Sequence, residues 1–190
     1  FSASMYTFCC FMFFLSAVMV KGEVVLIEKG KPLARIYVAE PDPQLTNVVG
    51  ELNYHFKKMA GAELEVVTNA KPESVKGPAL VIGPLAVAMG AKPAKSSLSK
   101  EGFRLLVKGD RILIGGESES GAVFGAYELL NRLGCDWVMP GEIGEIIPKM
   151  QTISIQEMDE SQAPDFAMRR LWYRGYRTKE HPAQPGEGPR

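Results

Sequence analysis

The sequence is poor in the residues that bind metals or form disulfides. It has two histidines, His55 and His181, and three cysteines in 190 residues. No C-x-x-C or H-x-x-x-H spacing is present, and zinc sites need ligands at such spacings. We therefore predict no metal site, and we predict no cofactor. Because Cys9 and Cys10 lie in an apolar N-terminal run, Cys135 has no partner for an internal disulfide and is expected to be a buried small hydrophobe.

The chain also lacks an excess of charge of either sign. Lys and Arg total 22, as do Asp and Glu, and no basic stripe is visible, which argues against nucleic acid as a partner. The G-x-S-x-G motif of serine hydrolases is absent as well. Glu142 and Glu145, on either side of Gly144, offer paired carboxyls of the kind that glycosidases use. A pair this close in an exposed turn is more often solvated charge, and we assign no catalytic residue.

The first twenty residues carry no charge, and residues 6–20 are almost wholly apolar. Lys21, Gly22 and Glu23 end this run. An apolar N-terminal segment followed by small residues is typical of a secretory signal, so we predict a signal peptide at residues 1–22 that is cut after Gly22. The alternative is a single membrane anchor, since about 18 apolar residues can span a bilayer. The protein is therefore expected to be secreted or periplasmic, and to be membrane-anchored only if the segment is not cleaved.

The first half of the remaining chain predicts strands followed by a long helix. Residues 24–27 and 33–39 are β-branched runs separated by a turn, which indicates two paired strands. Asp42 as N-cap and Pro43 at the first position predict a helix that Gly61 ends. His55 lies beside the apolar stripe of this helix, so we expect a solvated histidine. The stripe consists of Leu45, Val48, Val49, Leu52, Phe56 and Met59.

The second half alternates strands with one more long helix. Strands are predicted at 64–68, 79–82, 102–108, 111–114, 143–147 and 152–155, with a helical turn at 85–89 and an extended segment at 135–139. The strands at 102–108 and 111–114 form a hairpin across Gly109-Asp110. A helix over 120–133 is expected to bury Val123, Phe124, Tyr127, Leu130 and Leu133 on one face. The pattern indicates an α/β (α+β) fold, a mixed sheet with two main helices packed on one face.

A glycine-rich stretch at residues 115–121 lies between a predicted strand and a helix. Such a loop can hold a phosphate at a helix N-terminus. Its spacing is not G-x-G-x-x-G, however, and Glu117 and Glu119 would repel a phosphate. Ser118 or Ser120 capping the helix, with acidic residues near its positive end, is the preferred interpretation.

The segment 109–149 contains the most distinctive motifs. A helix with the pattern G-x-Y-x-L-L-x-x-L-G is followed by W-x-x-P-G-E-x-G, and E-G-[YF]-x-L precedes them at residues 101–105. This arrangement, extending over about residues 24–174, resembles the N-terminal non-catalytic domain that precedes the barrel in bacterial β-N-acetylhexosaminidases and α-glucuronidases. The matching residues are Gly121, Gly125, Tyr127, Leu129, Leu130, Leu133, Gly134, Trp137, Pro140, Gly141, Glu142 and Gly144.

The resemblance continues in P-x-F-x-x-R at residues 164–169, which in hexosaminidases leads into the first strand of a TIM barrel. It implies that Arg169 contacts sugar hydroxyls, with Arg170 and Arg174 as less close matches; a guanidinium offers several fixed donors for this role. The alternative is a loop arginine paired with a nearby carboxylate.

The expected domains are a signal peptide at 1–22, an accessory α/β domain at 23–158, and a linker with the start of a truncated barrel at 159–190. Residues Asp159–Ala163 are interpreted as the linker. A TIM barrel needs about 250 residues, and only 26 follow Pro164. We therefore expect an accessory domain, inactive alone, of an exported glycoside hydrolase. Carbohydrate is then the partner of the missing barrel, with N-acetylhexosaminides or glucuronides as examples.

A stand-alone carbohydrate-binding module is the alternative function. In that case four aromatic residues would act as stacking platforms for sugars: Trp137, Trp172, Tyr173 and Tyr176. Nucleotide binding at residues 115–121 is the third possibility. Aromatic residues in small α/β domains more often belong to a core or an interface, which favours the accessory domain.

Overall fold

The computed structural model describes residues 22–40 and 42–169, which form three helices and eleven strands around one central sheet. The strands are β1 (Glu23–Glu28), β2 (Lys31–Pro32), β3 (Arg35–Val38), β4 (Glu65–Val67), β5 (Ala79–Ile82), β6 (Phe103–Lys108), β7 (Arg111–Gly116), β8 (Asp136–Trp137), β9 (Glu145–Ile146), β10 (Ile153–Gln156) and β11 (Met158–Gln162). The helices are α1 (Pro43–Ala60), α2 (Pro84–Ala88) and α3 (Glu119–Arg132), and short 3-10 turns occupy Pro72–Ser74 and Glu142–Gly144.

The central sheet has six strands in the order β11-β6-β7-β5-β3-β4. Strands β4, β3, β5 and β7 are parallel to one another, whereas β6 is antiparallel to both of its neighbours, β7 and β11. All four residues of β5 are buried, as expected for a parallel strand covered on both faces. Strands β10, β1 and β2 form a second sheet, and β8 pairs with β9. The predicted mixed sheet is confirmed.

Alternate residues of the sheet enter two separate cores. Ile36, Leu80 and Ile114 point to the larger core, which also contains α1, α3, β1 and β10. Tyr37 and Val81 point to a smaller core on the opposite face, under α2 and residues 70–75. Both long helices therefore pack on one face, as predicted.

Helix α1 begins and ends where the sequence predicts. The Asp42 carboxylate accepts hydrogen bonds from the backbone N–H groups of Gln44 and Leu45 at 2.8 and 3.1 Å. Gly61 has a φ of 78°, and its N–H donates to the carbonyl of Lys57 at 2.9 Å. Since side chains other than glycine rarely adopt this φ, the helix ends here.

Helix α3 buries only part of the predicted face. Leu130 and Leu133 are buried as predicted, and Val123 and Tyr127 are partly buried. The helix also buries small residues outside the prediction, Gly121, Ala122, Gly125 and Ala126, together with Leu129. A Cβ atom on Gly125 would lie 2.6 Å from Cγ2 of Ile114, so the small residues let the helix approach the sheet closely. Phe124, predicted to be buried, is 43% exposed.

His55 is buried, so its predicted solvation is wrong. Its side chain is 0% exposed and its ring packs edge to face against Tyr54 and Trp137, with centroids 5.1 and 5.4 Å away. The ring Nδ1–H donates to the carbonyl of Glu51 at 2.7 Å, whereas Nε2 has no hydrogen-bond partner among the described residues. The helix periodicity alone cannot show that residue 137 returns to cover this position.

Two strand predictions are also corrected by the topology. Strand β1 pairs with β10 and with the two-residue β2, whereas β3 lies in the central sheet; the predicted pairing of 24–27 with 33–39 is wrong. Residues 159–162, interpreted as part of a linker, belong to β11 and pair with β6. Their polar pattern reflects an exposed edge strand, which commonly carries charge.

Among residues 22–40 and 42–169, the structure has no helix with the length and hydrophobicity that a membrane span requires. The predicted signal peptide lies, apart from Gly22, outside the described residues, as does the tail from residue 170 onward. The ends of the predicted domains at 22 and 190 stay predictions.

We predict that His55→Ala lowers the free energy of unfolding by about 3 kcal/mol, because it leaves a cavity in an aromatic cluster. His55→Phe is expected to change it by less than about 1 kcal/mol, since it keeps the ring packing and removes an unpaired buried nitrogen. Urea unfolding followed by circular dichroism measures both values. Lys57→Ala, on the exposed face of the same helix, is the control. Equal losses for the alanine and phenylalanine variants at residue 55 would contradict the packing role.

Candidate functional site

A groove runs along α3. Its larger part, about 660 Å³, lies between α1 and α3, and its smaller part, about 380 Å³, lies between α3 and residues 101–103 and 162–169. Glu101, Phe124 and Tyr127 line both parts, so they mark the junction. The Ser120 hydroxyl donates to the Gln44 side-chain carbonyl at 3.0 Å, which links the two helices at one end of the groove. We call this feature the α1–α3 groove.

The predicted sugar-binding residue, Arg169, lies at this junction. Its guanidinium forms an ion pair with the Glu101 carboxylate and lies 5.8 Å from the centre of the Phe124 ring. The Arg169 side chain is 49% exposed, so part of its set of N–H donors faces solvent. The other two arginines of the resemblance, Arg170 and Arg174, lie outside the described residues.

Glu101 is held in place by the loop that precedes β6. The Ser99 hydroxyl donates to the Glu101 carboxylate at 2.7 Å, and the backbone N–H of Glu101 donates to the Ser97 hydroxyl at 2.9 Å. Its side chain is 25% exposed. The arginine therefore contacts a carboxylate that is itself positioned by hydrogen bonds.

Aromatic side chains close the smaller end of the groove. Trp137 packs edge to face against Tyr127 with ring centres 5.3 Å apart, and against His55 on its other side. The Tyr54 hydroxyl donates to Glu145 at 3.0 Å. Because Trp137 already has two ring contacts and is only partly exposed, little of its face is free to stack on a sugar.

The Glu145 carboxylate is less exposed than the solvated charge that the sequence predicts. Its side chain is 19% exposed, and Lys58 lies 3.7 Å from its carboxylate. The same Lys58 ammonium donates to the Tyr54 hydroxyl, which raises the pKa of that lysine, mainly through this hydrogen bond. The carboxylate thus fastens β9 to α1. Glu142, its possible partner in a carboxyl pair, is exposed.

The glycine-rich loop at 115–121 is filled by its own backbone and by Glu117. Ser118 caps α3, since its hydroxyl accepts from the backbone N–H of Gly121 at 3.4 Å. A Cβ atom on Gly121 would lie 2.4 Å from the carbonyl oxygen of Gly102, and one on Gly116 only 2.3 Å from the backbone of Ser118. The glycines serve close packing, and the preferred capping interpretation is confirmed.

The Glu117 carboxylate accepts four hydrogen bonds. The donors are the Ser96 hydroxyl at 2.5 Å, the Ser97 N–H at 2.9 Å and hydroxyl at 3.0 Å, and the Gly102 N–H at 3.0 Å. These bonds, that from Ser96 first, lower the pKa of Glu117 from 4.5 to about 2. The carboxylate therefore holds residues 96–102, the loop that carries Glu101.

The part of the chain that the structure describes offers little support for a metal site or a nucleophilic cysteine. Residues 22–40 and 42–169 contain no group of three or more side chains that could hold a metal ion. Cys135 is buried, as predicted, and burial raises the pKa of its thiol to about 11. A thiol this protonated is a poor nucleophile at neutral pH.

The family model of the glycosyl hydrolase family 67 N-terminus matches residues 22–129. The chain belongs to this family. The match confirms the resemblance to N-terminal domains of glycoside hydrolases, and it covers β1 to most of α3. No curated protein matches the chain.

A solved structure with a TM-score of 0.55 shares the fold of this family 67 N-terminal domain. A family GH115 4-O-methyl-α-glucuronidase with specificity for decorated arabinogalactans has a TM-score of 0.55 and 17% identity over 74% of this chain. A GH20 β-N-acetylhexosaminidase from Streptomyces coelicolor A3(2) has a TM-score of 0.39 and 17% identity over 72% of the chain. The chain spans 18% and 24% of the lengths of these two proteins.

Sequence reasoning placed Arg169 but missed the residues that surround it. In the sequence, Glu101 stands out only as the first residue of a strand motif. Glu117 stands out only as a negative charge that would repel a phosphate. The three serines at residues 96, 97 and 99 are the one available signal, since serine hydroxyls can donate to carboxylates. Which carboxylate they hold depends on pairing between β6 and β7, which the local sequence does not specify.

We predict that Glu117→Gln flattens the acid dependence of stability. A folded-state pKa of about 2 against an ordinary value of 4.5 means that the ionised carboxylate stabilises the fold above pH 4.5, and that this contribution is lost as the pH falls towards 2. The difference in free energy of unfolding between the wild type and Glu117→Gln should therefore shrink over this interval. Urea unfolding at several pH values measures it, with Glu73→Gln, an exposed glutamate, as the control. A pH-independent difference would contradict the role of the charge.

Proposed function

We propose that this chain is the N-terminal accessory domain of an exported glycoside hydrolase that acts on glycans such as N-acetylhexosaminides or glucuronides. In this proposal the domain contributes no catalytic acid or nucleophile and is inactive alone. The family match carries the proposal, because it covers most of the described fold. The GH115 structure supports a shared fold only, so the glucuronide example rests on analogy.

The distribution of exposed apolar residues supports a role in bracing a second unit. Phe166 and Met168, in the segment that leaves the domain, are 74% and 77% exposed, and Ile143 in the loop after Trp137 is 93% exposed. Val138 and Met139 in the same loop are also exposed. Apolar side chains concentrated where the chain leaves a domain are typical of an interface rather than of a free surface. Docking of a catalytic barrel here would cover them.

Arg169 is the residue of the described chain that we propose to reach the substrate. Glu101 engages one of its terminal nitrogens, and a guanidinium has five N–H donors. The remaining donors can bind vicinal hydroxyls of a sugar while Glu101 and Phe124 keep the side chain in one orientation. This arrangement combines both interpretations of the residue, the substrate contact and the carboxylate pair.

We also propose that the domain acts outside the cytoplasm. The uncharged residues 1–20 support export, with cleavage after Gly22. Retention of this segment as an anchor is the alternative, and carbohydrate is the proposed partner in either case.

The isolated chain is expected to leave aryl β-N-acetylhexosaminides and aryl α-glucuronides uncleaved, whereas an enzyme in which a barrel follows this domain cleaves one of them. In that enzyme Arg169→Gln should raise KM more than it lowers kcat, because it removes contacts made in the ground state as well as the transition state. Glu101→Gln is the matched control, since it breaks the ion pair and keeps the guanidinium. Hydrolysis by the isolated chain would contradict the accessory role, and equal effects of the two variants would make Arg169 an anchor only.

We predict that expression in a bacterial host yields a periplasmic or secreted protein whose N-terminus is Glu23. N-terminal sequencing after cell fractionation tests this. Replacing Phe14 by Arg is expected to block export, since charge within the apolar run of a signal weakens its insertion. Recovery of the intact chain in the membrane fraction would favour the anchor, and recovery in the cytoplasm would contradict both.

A further inference from the structure

A pocket of about 400 Å³ lies beside α2 and the end of β7, apart from the α1–α3 groove. Three exposed lysines line it, Lys92, Lys95 and Lys100. Among the described residues, none of the three forms an ion pair. Because neighbouring like charges repel one another, this arrangement indicates a site for an anion. We call it the lysine pocket.

One carboxylate, that of Glu117, also lines the lysine pocket. It forms no ion pair with the three lysines, because its hydrogen bonds come from Ser96, Ser97 and Gly102. The lysines outnumber it three to one, so the pocket keeps an excess of positive charge. Glu117 repels a singly charged carboxylate less than a doubly charged phosphate, which favours a carboxylate as the anion.

The backbone that carries two of the lysines is fixed by hydrogen bonds to the edge of the central sheet. The Arg104 guanidinium donates to the carbonyl of Lys92 at 3.3 Å. The N–H groups of Ala94 and Lys95 donate to the Ser161 hydroxyl at 2.9 and 3.4 Å. A ligand that binds here therefore needs to order the lysine side chains but not the loop, which lowers the entropic cost of binding.

The third lysine occupies a backbone conformation that favours glycine. Lys100 has a φ of 58°, and its carbonyl accepts a hydrogen bond from the Ser118 hydroxyl at 2.6 Å. Glycine adopts such a φ without strain, so the fold does not require a lysine side chain at this position. The ammonium group of Lys100 is thus available for a role other than stability.

The remaining lining is apolar and contains no arginine among the described residues. Val87, Pro93 and Ala94 are partly or fully exposed and form this part of the wall. An inorganic anion would use the lysines alone, whereas a uronic acid residue presents both a carboxylate and an apolar C–H face. The pocket also adjoins the carboxyl end of β7, and ligand sites of open α/β sheets lie at this edge.

We propose that the lysine pocket binds the carboxylate of a uronic acid residue in an acidic glycan. The choice of a glycan rests on the proposed function, whereas the negative charge and the apolar face of the ligand rest on the lining residues. In an enzyme that continues into a barrel, the pocket would bind an acidic polysaccharide at a point separate from the barrel. Such a second contact raises the local concentration of the glycan without taking part in hydrolysis.

Backbone amide chemical shifts of the isotope-labelled 190-residue chain, recorded during titration with a glucuronic acid oligomer, test the proposal. Saturable shifts are expected at residues 92–100, and none with an uncharged N-acetylglucosamine oligomer. Replacing both Lys92 and Lys95 by Gln should weaken binding about tenfold, since two exposed ion pairs are lost. The matched control replaces Lys31 and Lys76 by Gln, two exposed lysines outside the pocket, and should leave the affinity unchanged.

Lys100→Gly separates binding from folding. It removes the ammonium group and keeps the backbone conformation, so binding should weaken about threefold while the free energy of unfolding stays the same or rises. Urea unfolding of the same samples measures the stability. An unchanged affinity in this variant would count against the proposal.

Absence of shifts with the glucuronic acid oligomer would overturn the proposal. Equal affinity for polyaspartate of the same length, or for inorganic phosphate, would overturn it as well, because the interaction would then be unspecific attraction between charges. Neither result would touch the accessory role, which is tested by hydrolysis in an enzyme that contains the barrel. The two proposals can therefore fail independently.

Discussion

The close approach of α3 to the central sheet is the constraint on which the other features depend. Gly116, Gly121 and Gly125 face backbone or side-chain atoms at distances that exclude a Cβ atom. Any larger residue would push the helix outward, away from Ile114 and Phe103. Because the helix lies this close, the loop between β7 and α3 is tight, and its carboxylate, Glu117, reaches across to the loop before β6. One packing distance therefore positions two loops.

The position of those loops determines which charged side chains line the groove. Residues 96–102 include Glu101, which pairs with Arg169. The last described residue of the chain is therefore tied through Glu101 and Glu117 to the start of α3. The small residues of α3 turn its larger side chains, Phe124 and Tyr127, away from the sheet. A helix that buries its glycines and alanines exposes its aromatics, so Phe124 and Tyr127 line both parts of the groove.

The sequence predicts those parts of this fold that local chemistry decides. Asp42 and Gly61 fix the ends of α1 because their hydrogen bonds are made within a few residues. The mixed sheet follows from the alternation of apolar runs and turns. The buried face of α3 was predicted correctly only at Leu130 and Leu133. Near the start of the helix the sheet leaves room only for glycine and alanine, whereas the apolar pattern favours Val123 and Phe124. The burial of His55 could not be predicted either, because Trp137, which covers it, is 82 positions away in the sequence.

In the candidate site, too, the sequence predicts only the local part. A motif identifies Arg169, but its partners come from separate segments of the chain, and only the folded sheet brings them together. These contacts affect the entropy that Arg169 would lose on binding a ligand. An arginine free in solvent loses side-chain entropy when it binds a sugar, whereas one already held by Glu101 and Phe124 has lost much of it on folding. If Arg169 contacts the substrate as we propose, the domain influences substrate binding through the orientation that Glu101 and Phe124 impose on this residue.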